Sequence, residues 1–511
     1  MTRATSSRPP IWLAFWGLIP AALVLLPVGY VADRSWQAGW HEIVDEVFRA
    51  RTFDLLVNTL TLAFSVTLGC VVLGLGAAWC TERCDLPWRH GWRRVAGLPL
   101  AVPAFVASYA WSSLGQVFEG MFGAILVLTV ACLPLIYLPA AAALRGMDPS
   151  FEDVARTLGI GPWRSFWRIT LPQALPALGG GALLVMSHMF AEFGALAFLR
   201  VNTFTTAIFD QYELQFDNAS AAMLSGILIL LCLPIVWAEM LLRDNLRLAR
   251  TGPGSARRLP VRRLGWARWP IFLLFVAVSI VAFGVPLVTL LSWLLRGASA
   301  GMGVDTLLPA ALGSLSLAVP GALLTTVLAV PLVLMSTRYR GWLPAFADRL
   351  PYVVHGLPGI VVALALVYLA IHYCGFIYQT TPLVLIAYVI LFLPQAQSAV
   401  KASVALVPRE LEYVARSLGR KPVAAFFAVT LPNIMPGIGS ALSLVVLQLM
   451  RELTATLLLA PTGVVTLATE FWSYTNDRAY AAAAPFAVVL VLVSGLPVYF
   501  FTLKFSQVRD R

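Results

Sequence analysis

The sequence predicts an all-helical protein that crosses a membrane many times. Of its 511 residues, 59% are hydrophobic and only 12% are charged, whereas soluble domains carry about 25% charged residues. Apolar stretches of roughly the 20 residues that a spanning helix needs recur along the whole chain. These stretches are continuous, so they differ from the alternating strands of a membrane barrel.

The apolar stretches give about twelve candidate spans, with a polar segment in the middle of the series. The first stretch follows a polar N-terminus with Arg3 and Arg8. It is too long for the core of a cleaved signal peptide, so we expect it to span. The candidates lie at about 11–32, 55–79, 95–115, 122–145, 174–198 and 220–242, and then at about 269–295, 310–335, 350–372, 381–400, 434–458 and 482–504.

Basic residues concentrate on one side of this predicted topology. The formal net charge is +11, and most Lys and Arg residues fall in alternate loops. These loops are 80–94, 146–173, 243–268, 336–349 and 401–433. The positive-inside rule therefore predicts that both termini and these loops are cytoplasmic. No basic stretch is interleaved with stacking aromatic residues, so we expect no nucleic-acid partner and assign the charge to the lipid bilayer surface.

The chain divides into two similar halves around a basic segment. Glu152 and Glu412 are 260 positions apart, and the residues around them match at the same spacing. We predict a first unit at 1–242, a solvated cytoplasmic basic linker at 243–268 and a second unit at 269–511. Matched elements include Leu133-Pro134 with Leu393-Pro394, Pro162 with Pro422, and Thr170-Leu171-Pro172 with Thr430-Leu431-Pro432. Repeats of one orientation indicate a transporter whose pathway lies between the copies.

A short polar motif occurs once in each half, inside the loops at about 148–172 and 408–432. It reads Glu-Asp-Val-Ala-Arg-Thr-Leu-Gly at 152–159 and Glu-Tyr-Val-Ala-Arg-Ser-Leu-Gly at 412–419. The apolar residues are spaced as one face of a helix, with Glu on the opposite face, and the final Gly suits a helix end. The apolar positions are Phe151, Val154, Ala155 and Leu158, and then Leu411, Val414, Ala415 and Leu418. Such a helix either lies on the membrane surface or docks in a groove of a partner, and its duplication favours docking.

The pattern Glu-x-x-Ala-x-x-x-Gly with a downstream Leu-Pro resembles the EAA loop of ABC importer permeases, with Val154 and Val414 at the third position. The resemblance implies two fused six-helix permease units in a bacterial inner membrane. It implies a cytoplasmic ABC ATPase dimer that holds ATP and Mg, a periplasmic substrate-binding protein, and no cofactor on this chain. The ATPase-coupling residues that it implies are Glu152, Ala155, Leu158, Gly159, Glu412, Ala415, Leu418 and Gly419.

Two further stretches are similar to ferric-iron permeases. One is Glu-Phe-Gly at 192–194 with Thr-Phe-Thr-Thr-Ala-Ile at 203–208, and the other is Glu-Leu-Thr-Ala-Thr-Leu-Leu-Leu at 452–459. The chain departs from that family by having Glu192 for an Asp and Thr454 for a Pro. The resemblance implies transport of iron(III). The alternative is a permease for thiamine or another small solute, since thiamine permeases share much of this layout.

The chain has no Gly-x-x-x-x-Gly-Lys-Ser/Thr phosphate loop. We therefore expect that it is a transporter subunit and not an enzyme, and that an external ATPase drives it. Rigid-body movement of the repeats would alternate access to the substrate. An ion-coupled secondary carrier is the alternative of another class, but it leaves the paired motif unexplained. A membrane-embedded enzyme is a further alternative, but the sequence contains no His-Glu-x-x-His or Gly-x-Ser-x-Gly element to support it.

Ionisable residues occur near the outer ends of two matched spans. They are His188 and Glu192 in the first half, and Arg451 and Glu452 in the second. Charged groups at such depth face a cavity or a partner, because burial in lipid costs several kcal/mol. One interpretation is the lining of the pathway or the periplasmic interface, and the other is a structural ion pair or helix cap. Carboxylates suit a hard cation, but we predict no tight metal site, since it would slow release.

Overall fold

The computed structural model describes residues 9–147, 150–248, 261–298, 304–354 and 357–507, and this part of the chain is helical with one single-residue bridge. The helices in chain order are α1 (Ile11–Ala38), α2 (Trp40–Val47), α3 (Ala50–Arg83), α4 (Arg89–Val95), α5 (Ala104–Ser112), α6 (Met121–Gly146), α7 (Ser150–Thr157), α8 (Pro162–Ser165), α9 (Leu171–Ala191), α10 (Gly194–Phe198), α11 (Phe204–Glu213), α12 (Asn218–Leu248), α13 (Arg268–Ser279), α14 (Val285–Ala298), α15 (Val304–Arg338), α16 (Trp342–Val354), α17 (Gly359–Tyr373), α18 (Thr381–Val404), α19 (Arg409–Ser417), α20 (Pro422–Ala425), α21 (Leu431–Leu449), α22 (Thr454–Leu459), α23 (Leu467–Asn476) and α24 (Tyr480–Gln507). Wider π-helical turns join α8 to α9, α13 to α14, and α20 to α21.

The described helices confirm the predicted polytopic, all-helical class. Within the described ranges, 9 helices are long and apolar enough to cross a membrane. A tenth span is formed if the bent pair Arg89–Ala101 and Ala104–Ser112 is taken together, and Gly359–Tyr373 and Tyr480–Gly495 are shorter apolar helices. These segments fall where about twelve spans are predicted.

Two predicted spans are broken near the ends that the charge pattern predicts to be cytoplasmic, at equivalent places. The span predicted at 95–115 bends by 85° before α5, which begins after Pro103. The span predicted at 350–372 is divided between α16 and α17, and α17 begins after Pro358. Proline lacks the backbone N–H that a continuing helix needs, and it disfavours helical geometry in the residue before it. The prediction of one continuous helix is therefore wrong in both places.

Two other predicted spans end earlier than expected. The helix predicted at 174–198 stops at Ala191 and resumes as the short α10. The helix predicted at 434–458 stops at Leu449 and resumes as the short α22. Hydropathy alone did not indicate these breaks, because apolar residues continue on both sides of each.

The described chain forms two compact units, and each draws on both halves of the sequence. One unit contains Met1–Val44, Asp217–Ile229 and Asp305–Glu470. In it, α1 packs on α16, α17 and α18, and α18 packs on α21. The other contains Asp45–Phe216, Leu230–Val304 and Phe471–Arg511, with α3, α6 and α9 packed together and α14 against α24. The division at 1–242, 243–268 and 269–511 follows the repeat and stays a prediction.

Glycines let α3, α6 and α9 approach closely. A Cβ atom on Gly74 of α3 would lie 2.8 Å from Cγ2 of Ile136 in α6. A Cβ atom on Gly181 of α9 would lie 2.9 Å from the carbonyl oxygen of Leu135. Small residues at helix contacts are the usual means of tight packing in membranes, where lipid competes with side chains for apolar contact.

Part of the basic linker is anchored to the end of α3. The backbone N–H of Arg262 donates to the Arg83 carbonyl at 2.8 Å, and the N–H of Asp85 donates to the Arg262 carbonyl at 3.0 Å. The N–H of Leu264 donates to Oδ1 of Asp85 at 2.6 Å. Residues 261–264 of the predicted linker are therefore hydrogen-bonded to the end of α3, although Val261 and Arg263 stay exposed to solvent, while 249–260 lie outside the described residues.

Candidate coupling site

The two copies of the motif form short helices, α7 and α19, with the same ending. Gly159 has φ of 71° and Gly419 has φ of 86°, in the left-handed region that residues with a Cβ atom avoid. The N–H of the following residue donates back to the carbonyl of Ala155 at 2.9 Å in α7, and of Ala415 at 3.2 Å in α19. This arrangement is the Schellman motif, which stops a helix within one turn.

Each short helix presents an apolar ridge to its surroundings. Leu158 is 72% exposed and Leu418 is 79% exposed. The other exposed ridge residues are Phe151 and Val154 in α7, and Leu411 and Val414 in α19. We call these two sets the first and second coupling ridges. Both lie in polar loops outside the candidate spans, and exposed apolar patches of this kind are typical of protein interaction sites.

The sequence pattern predicted that the motif glutamates lie on an exposed charged face. The structure differs from this prediction. Glu152 is 7% exposed and Ala155 is 2% exposed, so both face the protein. On a helix with about 100° between residues, Ala155 lies between Glu152 and the ridge. Ala155 therefore belongs to the buried side, and the exposed side of α7 carries the apolar ridge beside the exposed Asp153.

The buried Glu152 binds an arginine and a threonine from two other elements. Nη1 of Arg83, at the end of α3, is 3.2 Å from Oε1 of Glu152. The hydroxyl of Thr170, in the wide turn before α9, donates to the same oxygen at 2.9 Å. Glu152 thus joins α7 to the end of one long helix and the beginning of another.

Glu412, in the second copy, has the same two kinds of partner, an arginine and a threonine. Nη1 of Arg338, at the end of α15, donates to Oε2 of Glu412. The hydroxyl of Thr430 donates to this oxygen at 3.2 Å and accepts from Nη2 of Arg338 at 3.3 Å. The Glu412 side chain is 20% exposed, so this copy is less buried than the first.

These contacts attach each short helix to the end of a long helix. A buried charge that loses its counter-ion costs about 3–5 kcal/mol, so each arginine–glutamate pair resists separation. The ridge residues and the glutamate are on different sides of one short helix. The glutamate side of each helix is therefore held by α3 or α15, and the ridge side stays exposed.

Arg262 of the linker makes an additional contact with Glu152. Among the described residues, the second copy shows no such contact. Nη2 of Arg262 is 3.8 Å from Oε2 of Glu152. The guanidinium of Arg262 also lies 5.1 Å from the ring centre of Trp79 in α3. The linker therefore braces the first coupling helix in addition to the arginine and threonine that both copies share.

Glu192 and Glu452 have the geometry of helix caps. Oε1 of Glu192 accepts from the N–H of Ala195 at 3.0 Å, and Oε1 of Glu452 accepts from the N–H of Ala455 at 3.0 Å. These N–H groups belong to the first turns of α10 and α22, where backbone donors lack helical partners. The contacts explain why both spans resume after a break, and they favour the structural interpretation of the two glutamates.

The other two ionisable residues differ between the copies. Nε2 of His188 is 3.5 Å from Oε2 of Glu192, one helical turn away, and the histidine is about half exposed. Arg451 lies in the break between α21 and α22, directly before Glu452. Within the described ranges, no three His, Cys, Asp or Glu side chains converge as a metal site would require.

The sequence pattern alone did not identify the residues that bind the motif glutamates. Thr170 and Thr430 belong to a Thr-Leu-Pro element that the repeat comparison found, so the signal was present. Arg83 and Arg338 contribute to the charge asymmetry, but they precede the motif by dozens of residues. Arg262 has no counterpart at the same spacing and gives no such signal.

Comparisons with known proteins agree with this duplicated site. A family model described as "Binding-protein-dependent transport system inner membrane component" matches residues 70–247 and again 329–507. The chain is 41% identical over 495 residues to the Fe(3+)-transport system permease protein FbpB 2 of Haemophilus influenzae, which covers 96% of this chain and 98% of that protein.

Other relatives match part of the chain. It is 30% identical over 259 residues to the putative 2-aminoethylphosphonate transport system permease protein PhnU of Salmonella typhimurium, covering 45% of this chain and 91% of that protein. It is 32% identical over 169 residues to the molybdenum transport system permease protein ModB of Escherichia coli, covering 30% and 72%. With two copies of the family domain in one polypeptide, this chain belongs to the inner-membrane permeases of binding-protein-dependent ABC importers.

Proposed function

We propose that this permease carries iron(III) from the periplasm to the cytoplasm. The observation that carries the choice of substrate is the 41% identity to an Fe(3+)-transport permease along nearly the whole of both chains. The partial relatives named for other solutes are less similar and cover less of the chain. Iron(III) is the cargo in this proposal, and no resident metal is required.

An external ATPase dimer supplies the energy in this proposal. One ATPase subunit binds the first coupling ridge and the other binds the second, and both ridges are exposed in the structure. ATP and Mg bind to the ATPase, since this sequence has no phosphate loop. Closure of the ATPase dimer moves α7 and α19, and the glutamate pairs carry that movement into α3 and α15.

A periplasmic substrate-binding protein delivers the cargo on the opposite side. The positive-inside rule supports an orientation with both coupling ridges and both termini in the cytoplasm of a bacterial cell. In that orientation, alternating access moves cargo inward while hydrolysis stays on the ATPase.

Uptake of radioactive ferric iron tests the proposal. Cells that express this chain with its ATPase and binding protein are expected to accumulate iron in an ATP-dependent manner, and cells without the chain are not. An excess of unlabelled thiamine or 2-aminoethylphosphonate should leave iron uptake unchanged. Iron uptake that is the same with and without the chain would contradict the choice of cargo. Chain-dependent uptake of thiamine or 2-aminoethylphosphonate would identify that solute as the cargo instead.

A further inference from the structure

A narrow apolar crevice lies on one side of the short helix α4. Its volume is about 230 Å³, and its walls come from α3, α4, α6, α13 and the wide turn that follows α13. Gly76 of α3, Trp92 of α4, Leu274 of α13 and Phe283 of the wide turn are among the residues that line it. A Cβ atom on Gly76 would meet no other atom within 4 Å, so the crevice is open at that position.

A polar recess of about 380 Å³ lies on the other side of α4. Arg89, His90 and Arg94 of α4 line it, together with Asp85. The Asp85 carboxylate already accepts the backbone N–H of Leu264 at 2.6 Å, so part of its acceptor capacity is used. Two guanidinium groups against one carboxylate leave the recess suited to an anion.

Tryptophans mark the level of α4 relative to a bilayer. Trp88 stacks edge-on against Trp92 at 5.3 Å, and both adjoin the recess or the crevice. Trp266, which is 91% exposed, and Trp269 lie at the start of the neighbouring α13. Tryptophan concentrates at the headgroup level of membranes. The recess therefore lies at headgroup depth on one side of α4, and the crevice lies on the opposite side, among the residues of the spans.

We propose that α4 holds an anionic phospholipid of the surrounding bilayer, with its phosphate against Arg89 and Arg94 and one acyl chain in the crevice beside Gly76. Basic pockets between spanning helices are a known way of holding anionic headgroups. A zwitterionic lipid would use the crevice and gain little from the arginines. A free phosphate would use the recess and leave the crevice empty, so the two cavities together favour a lipid.

Native mass spectrometry of the purified full chain tests this with two added lipids. We expect dioleoylphosphatidylglycerol to remain bound more tightly than dioleoylphosphatidylcholine. Arg89→Gln with Arg94→Gln should weaken binding of phosphatidylglycerol by about fivefold for each charge removed and leave phosphatidylcholine unchanged. Arg340→Gln removes an exposed charge elsewhere and should change neither.

The crevice is tested separately with Gly76→Leu, which should weaken binding of both lipids by filling the space. Ala77→Leu, from the same wall, is a second variant if Gly76→Leu does not yield folded protein. Glycerol 3-phosphate should not displace the lipid. Equal retention of both lipids by the wild type, unchanged selectivity in the arginine variant, or unchanged binding in a folded crevice variant would each overturn the proposal, as would displacement by glycerol 3-phosphate.

Discussion

The motif glutamates join α7 and α19 to the long helices α3 and α15, and Glu152 is more deeply buried than Glu412. Glu152 has two arginines within 4 Å and is almost fully enclosed. Glu412 has Arg338 and is about one-fifth exposed. Because solvent screens the exposed pair more strongly, the first pair should contribute more to stability.

We expect Glu152→Ala to lower the melting temperature of the purified chain more than Glu412→Ala does. The first change leaves Arg83 buried without its carboxylate, at a cost of about 3–5 kcal/mol, and the second should cost less. Differential scanning fluorimetry of both variants measures the difference. The melting temperature of Arg262→Ala should lie between those of Glu152→Ala and the wild type. Equal melting temperatures for the two glutamate variants would contradict the difference in burial.

Glutamine can distinguish the two interpretations of Glu192. The Gln amide oxygen can still accept the N–H of Ala195, whereas Ala cannot. If the residue is a helix cap, Glu192→Gln should retain most of the uptake and Glu192→Ala should lose it. Uptake at saturating substrate measures this, and a loss with Gln as large as with Ala would indicate that the charge itself is needed.

Sequence reasoning predicted some of these residues for physical reasons that are local. A glycine at a helix end is determined by backbone geometry, so Gly159 and Gly419 were predictable from the motif. The burial of Glu152 was not, because it depends on Arg83 and Arg262, which are distant in the chain. A helical pattern identifies two faces but does not say which one meets the rest of the protein.

Among the elements, the long helices depend on close contacts at glycine. Gly74 and Gly76 are on the same helix, yet only Gly74 faces α6 closely. A side chain on Gly74 would press on Ile136, while one on Gly76 would enter open space. The two positions form a matched pair for testing the packing of α3 on α6.

Gly74→Ala is expected to destabilise the chain by about 1–3 kcal/mol, as overpacking does. Gly76→Ala should have little effect on stability. Melting temperatures of the two variants in the same detergent give the comparison. If Gly76→Ala is the more damaging of the two, the packing of α3 on α6 is not as described.

The breaks in the helices show what hydropathy can and cannot predict. Apolar length placed the spans, because a bilayer requires it. It could not place the ends at Ala191 and Leu449, since the chain stays apolar through α10 and α22. Those ends depend on Glu192 and Glu452, which supply hydrogen bonds to the next short helix.

For the whole molecule, the repeat predicted which residues are equivalent but not which segments pack together. Each compact unit takes segments from both halves of the sequence. The constant spacing between Glu152 and Glu412 reflects a duplicated unit and contains no information about such exchange. The two short helices α7 and α19 were nevertheless predictable, because each depends on a local motif in its own copy.

The central claim is that both coupling ridges drive transport by binding an ATPase. Leu158→Glu and Leu418→Glu each place a charge on an exposed ridge, so the fold should be unaffected. Leu214→Glu is the control, because Leu214 is 69% exposed and lies outside the coupling loops.

Copurification of the ATPase with the purified permease, together with ATP-driven uptake, tests this claim most directly. We expect each ridge variant to reduce uptake at least tenfold, because it weakens ATPase binding by about 1.4 kcal/mol or more. The double variant should no longer copurify with the ATPase. The Leu214→Glu control should behave as the wild type. Normal ATPase association and normal uptake in the folded double variant would contradict the coupling role of both helices.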